Sequence, residues 1–249
     1  MADILVIDGN PKPNSFCEAL ATSYLLGASN AGATVQLLRL SHLHFDANLA
    51  FGYDERQPLE PDLLDVQIQL AVATHIVVVT PVWWGGLPAR LKGLFDRVLL
   101  PGFAFRYEKG NALPTRLLSG RTARLIVTMD SPVWYYRLVT GDLITRTLVR
   151  AMLGFCGIAV ETVDRLGPVI KSSETQRRRW LDDAYRNGLR DARRAIASGR
   201  RMDREPASPA APPPELGDTS RTDTDSRSSP HQSPDPSVEP SHESVRTHS

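Results

Sequence analysis

Two short, unbroken apolar runs constrain the fold of this chain more than anything else in it: Ile4-Leu5-Val6-Ile7 and His75-Ile76-Val77-Val78-Val79-Thr80. The first ends at Asp8-Gly9-Asn10-Pro11 and the second at Pro81, so each is too short for a buried helix. Runs of this kind suit strands that are covered on both faces, as in a parallel sheet. Between and after them the period changes to that of helices. Phe16, Ala19, Leu20 and Tyr24 recur at three- and four-residue spacing from Ser15 to about Asn30. Val35–Leu40, Arg124–Met129 and Ala159–Arg165 read as further strands. Pro61–Ala73, Pro88–Leu99, Thr140–Cys156 and Glu174–Ala197 read as helices. Proline in the first turn of the Pro88 helix costs nothing, because its missing N–H would have no partner there. Five strands alternating with helices predict an α/β fold, a doubly wound five-stranded parallel sheet with helices on both faces. Ligands of such sheets bind beyond the carboxyl ends of the strands, where the strand order reverses.

The pattern stops near residue 200. From Pro206 to Ser249 the chain holds nine of its 19 prolines and no aromatic residue. Such a segment buries too little apolar surface to offset the entropy of ordering. Residues 1–200 are therefore expected to form one domain and residues 201–249 a disordered Pro/Ser-rich tail, either a solvated extension or a docking or phosphorylated segment. The 29 basic and 28 acidic residues leave no net field to attract nucleic acid or an anionic membrane. Cys17 and Cys156 are far apart and lack C-x-x-C spacing, which argues against a disulfide framework or a zinc site and for a reducing compartment. No metal site is expected. No apolar run reaches the roughly 18 residues needed to span a bilayer, and the N-terminus enters a strand directly. The reading is a cytoplasmic protein without membrane insertion.

Three loops can carry chemistry. Gly9-Asn10-Pro11-Lys12-Pro13-Asn14-Ser15-Phe16 matches neither common nucleotide fingerprint. It ends at a helix start, where free N–H groups and the helix dipole favour an anion. Asn14-Ser15 is equally a plain helix cap. Thr80-Pro81-Val82-Trp83-Trp84-Gly85-Gly86-Leu87-Pro88 puts two adjacent tryptophans directly after a central strand. They suit the border of a flat aromatic ligand, or else a core or dimer contact. The third loop, Thr128-Met129-Asp130-Ser131-Pro132, leads into Trp134, Tyr135 and Tyr136. His42, His44 and His75 are read as structural.

Pro81-Val82-Trp83-Trp84, Leu87-Pro88-Ala89, Leu91-Lys92-Gly93 and Asp96-Arg97-Val98 together resemble the signature of the NAD(P)H:quinone oxidoreductase family. This is a flavodoxin-like group that also includes the ancillary oxidoreductases of potassium-efflux systems. Pro101-Gly102-Phe103-Ala104-Phe105 resembles the element that follows that signature. The likeness runs from residue 3 to about 190. It implies a homodimeric flavoprotein, holding FMN or FAD, that passes hydride from NAD(P)H to a quinone or similar small acceptor. It further implies that Asn10, Ser15, Phe16 and Cys17 lie at the flavin phosphate, with Asn10 where the family usually has histidine and Cys17 where it has asparagine. Pro81, Val82, Trp83 and Trp84 would border the isoalloxazine ring. Thr128, Asp130 and Ser131 occupy the turn whose backbone amides face the flavin, Asp130-Ser131 replacing the family's glycines. Tyr136 is the first choice for hydrogen bonding an acceptor oxygen. Two alternatives remain: a flavin-binding regulatory subunit of a transport system and a one-electron flavodoxin-type carrier. The near-neutral charge disfavours the carrier.

Overall fold

The structure, a computed structural model, describes residues 3–52, 54–55, 57–108, 110 and 113–202. Five parallel strands form the central sheet: β1 (Asp3–Asp8), β2 (Thr34–Arg39), β3 (His75–Pro81), β6 (Thr122–Thr128) and β7 (Ala159–Leu166). Their order is β2-β1-β3-β6-β7. The sense of winding therefore reverses between β1 and β3, and the crevice at their carboxyl ends is the expected ligand position. A two-stranded antiparallel hairpin, β4 (Phe105–Arg106) with β5 (Thr115–Arg116), is inserted before β6.

Strand periodicity sorts side chains onto the two faces. Leu5, Ile7, Ile76, Val78, Leu125 and Val127 join the core beneath α2 (Pro61–Val72) and α3 (Ala89–Val98). Ile4, Val6, Val77, Val79 and Ile126 join the core beneath α1 (Phe16–Asn30) and α7 (Glu174–Met202). In central β3 every residue from His75 to Thr80 is buried, which is why the run is unbroken in sequence. The doubly wound sheet with helices on both faces is thus present. The expected tail beyond Met202 lies outside the described residues.

Two glycines set the contact between α1 and α7. A Cβ at Gly27 would lie 2.0 Å from the Tyr185 carbonyl oxygen, and one at Gly188 would lie 2.1 Å from that of Tyr24. Beside this crossing a buried polar clamp fastens α7 to the sheet. Asp191 accepts hydrogen bonds from Arg124 Nε at 2.6 Å and from the Tyr24 hydroxyl at 2.9 Å. His75 and Arg124 hold its carboxyl well below the usual range against the opposing effect of burial. His75 sits in the same cluster, with Nδ1 2.7 Å from Thr122 Oγ1.

One expected helix differs. A short helix, α4 (Val133–Leu138), precedes it, and in place of one helix over Thr140–Cys156 the chain forms α5 (Leu143–Arg146), a π-helical segment (Thr147–Met152) and α6 (Leu153–Cys156). Gly141 and Asp142 both adopt positive φ, 75° and 54°, and break the helix before Leu143. The left-handed Asp142 is held by its carboxylate, which accepts from Arg165 and from Thr145 Oγ1. Gly154 accommodates the widened turn, since a Cβ there would lie 2.1 Å from the Val149 carbonyl.

Gly188→Ala tests the close crossing of α1 and α7. Alanine gains about 1 kcal/mol in helix propensity, but the added methyl has no space, so a net loss of roughly 1–3 kcal/mol is expected in urea unfolding. A net gain would mean that the helices are further apart.

Candidate functional site

The loop after β1 is shaped by its own polar groups. Asn10 is 8% exposed; its N–H donates to Asp8 Oδ1 at 3.2 Å, and its Oδ1 accepts from Lys12 N at 3.0 Å. Asn14 takes a left-handed turn (φ 53°) into Ser15, the N-cap of α1. Ser15 Oγ accepts from Glu18 N at 3.2 Å, and Glu18 reaches back to accept from Asn14 N at 2.8 Å. This reciprocal cap resembles a capping box displaced by one residue. It leaves the N–H groups of Phe16 and Cys17 without an acceptor among the described residues. Two free donors at the positive end of a helix favour an anion. Phe16 itself stacks obliquely on Trp180, ring centres 6.0 Å apart.

After β3 the chain makes a tight reversal. Trp83 and Gly86 exchange backbone hydrogen bonds of 3.0 and 2.9 Å, with Trp84 (φ 49°) and Gly85 (φ 78°) at the corner. Glycine adopts such angles freely, whereas tryptophan does so at a cost. Trp84 is fully exposed and Trp83 is 46% exposed. A bulky ring held in a strained backbone and turned to solvent does nothing for the core.

The third loop closes on the other two. Thr128 O accepts from Val82 N at 2.8 Å, and Thr128 Oγ1 lies 3.3 Å from Cys17 Sγ. Burial pushes the Cys17 thiol up to about 12, so it is a neutral packing group and not a nucleophile. Asp130 turns its side chain outward, where Oδ1 accepts from Ile170 N at 2.8 Å. The chain after β7 fits against this loop because residue 167 is glycine; a Cβ there would lie 2.9 Å from the carbonyl oxygens of Met129 and Ser131. The N–H groups of Asp130 and Ser131 have no acceptor among the described residues. The non-glycine turn therefore still offers backbone donors, because the Asp130 side chain is engaged elsewhere.

Asn10, Cys17, Pro81, Val82 and Thr128 are thus gathered at the carboxyl ends of β1, β3 and β6, with Ser15, Phe16, Asp130 and Ser131 around them. Tyr136 is placed differently from the expectation that it faces an acceptor. It is 1% exposed; its hydroxyl donates to Gly85 O at 3.2 Å and accepts from Ile144 N at 2.9 Å. Its single proton is committed to bracing the Trp84 turn. On α4 the rings turned outward are Trp134 and Tyr135, 63% and 42% exposed.

Sequence reasoning missed two residues. Arg97 is completely buried in α3; it donates to Asp46 O and Pro58 O and pairs with Glu60 at 2.9 Å, which pins the loop between β2 and α2. Asp8 was read as a strand terminator, yet it is fully buried and its Oδ2 has no hydrogen-bond partner among the described residues. Burial raises its pKa from 3.8 to about 6. An acidic residue that ends an apolar strand at a switch point was the available signal.

A cavity of about 570 Å³ opens at the opposite end of the sheet, beside His75, Thr122, Glu161 and Asp191. It borders the clamp that holds α7 and is remote from all three loops. At the carboxyl ends the three loops instead present free N–H groups at Phe16, Cys17, Asp130 and Ser131 beside the exposed indoles of Trp83 and Trp84.

The raised pKa of Asp8 has a consequence for stability. The folded chain holds a proton that the unfolded chain releases, so stability falls as pH rises from about 4 to about 6. At about 1.4 kcal/mol per pH unit the penalty above pH 6 is roughly 2–3 kcal/mol. Asp8→Asn is expected to gain that amount in chemical unfolding at about pH 8 and nothing at about pH 3.5. An equal difference at both pH values would rule out ionisation as its cause.

A family model described as flavodoxin-like fold matches residues 2–187. An uncharacterized NAD(P)H oxidoreductase of Haemophilus influenzae is 27% identical over 185 residues, 72% of this chain and 90% of that protein. An FMN-dependent NADH:quinone oxidoreductase of Coprothermobacter proteolyticus is 26% identical over 138 residues, 51% of this chain and 68% of that protein. A crystal structure of a Streptococcus mutans protein is similar with a TM-score of 0.66 at 26% identity, covering 76% of this chain and 99% of that one. The chain belongs to this flavodoxin-like family and is, like these relatives, an NAD(P)H oxidoreductase.

Proposed function

We propose that this protein binds FMN at the carboxyl ends of β1, β3 and β6 and uses it to transfer hydride from NADH or NADPH to a quinone. The observation that carries this reading is the junction at Thr128, which draws the three loops together while leaving four backbone donors free. A bound flavin supplies the two-electron chemistry, and the protein supplies position and electrostatics. The Phe16 and Cys17 N–H groups, at the positive end of α1, take the phosphate. The Asp130 and Ser131 amides donate to the polar edge of the ring, where negative charge collects on reduction. Trp83 and Trp84 border the ring and narrow the space left for a flat acceptor. The FMN-dependent relative supports FMN over FAD. No side-chain acid is needed for hydride transfer in either direction, and Tyr136 acts by holding the Trp84 turn.

The domain of residues 1–200 carries this activity, and its working form is a homodimer. Trp134, Leu138 and Val139 are all at least 60% exposed, a cluster of large apolar side chains on one segment that a second copy would cover. Among the described residues no helix is long and apolar enough to cross a membrane.

The test is oxidation of NADH and NADPH by the FMN-loaded full chain with a soluble quinone. Turnover is expected, together with a roughly tenfold loss of kcat/KM for the quinone in Trp84→Ala, equivalent to about 1.4 kcal/mol of contact with the bound rings. Because Trp84 is fully exposed, the variant should melt like the parent. Flavin-loaded protein without turnover would favour the regulatory-subunit reading instead.

A further inference from the structure

Nothing in the hydride-transfer reading uses Asp8, yet its carboxyl lies on the floor of the loop that would receive the phosphate. One oxygen accepts from Asn10 N, and the other is buried without a partner among the described residues. The charged and titratable groups that act on it are few. From α1 come the Cys17 thiol and the Glu18 carboxylate. From β2 comes Arg39, but its guanidinium is paired with Glu18 at 2.8 Å and so brings little net positive charge. From β3 its register partner is the apolar Val79. Among the described residues no cation pairs with Asp8.

An ionised Asp8 would therefore oppose the anion that the free Phe16 and Cys17 N–H groups attract. A neutral carboxylic acid removes the repulsion and adds an O–H donor where the orphaned oxygen now lies. We infer that Asp8 is protonated whenever the phosphate of the flavin is seated, so that at neutral pH and above the site takes up close to one proton with each FMN it binds. The inference rests on the reading that the loop after β1 is the phosphate subsite.

The sign follows from linkage. Without ligand Asp8 ionises near pH 6, so below that pH the acid form is already present and binding costs nothing extra. Above it, each pH unit lowers the affinity for FMN by up to about tenfold. The phosphate of FMN has its own second ionisation near pH 6, but that contribution is shared by any variant and cancels in a ratio. Riboflavin has no phosphate and is insensitive to the conflict.

The experiment measures dissociation constants of the full-length apoprotein for FMN and for riboflavin by quenching of flavin fluorescence from about pH 5.5 to 8.5, in the parent and in Asp8→Asn. Calorimetry near pH 7.5 in two buffers of different ionisation enthalpy counts the protons taken up. The expected result is that the ratio of FMN dissociation constants, parent over variant, rises at least fivefold between about pH 6.5 and 7.5. Riboflavin should show no such change. The parent should take up close to one proton more than Asp8→Asn. Identical pH profiles and equal proton counts would overturn the inference and leave the flavin reading intact. Failure of either protein to bind FMN or riboflavin at any pH would overturn both. Should Asp8→Asn not fold, the carbon-13 shift of the Asp8 carboxyl in the FMN-bound parent near pH 7.5 decides alone: the value of a carboxylic acid supports the inference and that of a carboxylate overturns it.

Discussion

Thr128, the last residue of β6, holds the functional end of this molecule together. Its carbonyl receives the Val82 N–H, which fixes where the chain leaves β3, and its hydroxyl touches the Cys17 thiol in the first turn of α1. The next residue continues the lattice: Met129 N donates to Leu166 O and Met129 O accepts from Val169 N, each at 2.9 Å. Four chain segments are thereby set in fixed relation by groups that do no chemistry. The donors left over are the N–H groups of Phe16, Cys17, Asp130 and Ser131, with the one orphaned oxygen of Asp8 beneath the first two.

The family signature on α3 serves the scaffold more than the ligand. Gly93 lies against the loop between β2 and α2, where a Cβ would come within 2.5 Å of the Ala47 carbonyl. Arg97 ties down the same loop through Asp46, Pro58 and Glu60, and Arg90 covers the Phe45 ring at 4.7 Å and donates to Leu43 O. Residues that make the sequence recognisable thus hold a loop in place. The groups left free to meet a ligand are mostly backbone N–H groups, which no side-chain pattern encodes.

That division explains what could be read in advance. The unbroken run of β3 and the alternation of β1 between two cores follow from burial on both faces, so the strands were legible. Ser15 was recognisable as a cap because its hydroxyl acts locally. The break at Gly141-Asp142 was not, since it depends on Arg165 arriving from β7. The commitment of the Tyr136 hydroxyl was equally hidden, because its partners, Gly85 and Ile144, come from other segments. Asp130 looked obstructive beside the family's glycines until Ile170 gave its side chain another place to go.

The central claim is that flavin binds at the three loops held by Thr128 and not at the cavity beside His75 at the other end of the sheet. Amide resonances of the isotope-labelled full chain, followed as FMN is added, test this most directly. The account predicts that the largest shifts fall on Phe16, Cys17, Asp130 and Ser131, with the indole signals of Trp83 and Trp84 moving alongside them. Shifts confined to His75, Thr122, Glu161 and their neighbours, with those four amides unmoved, would contradict it.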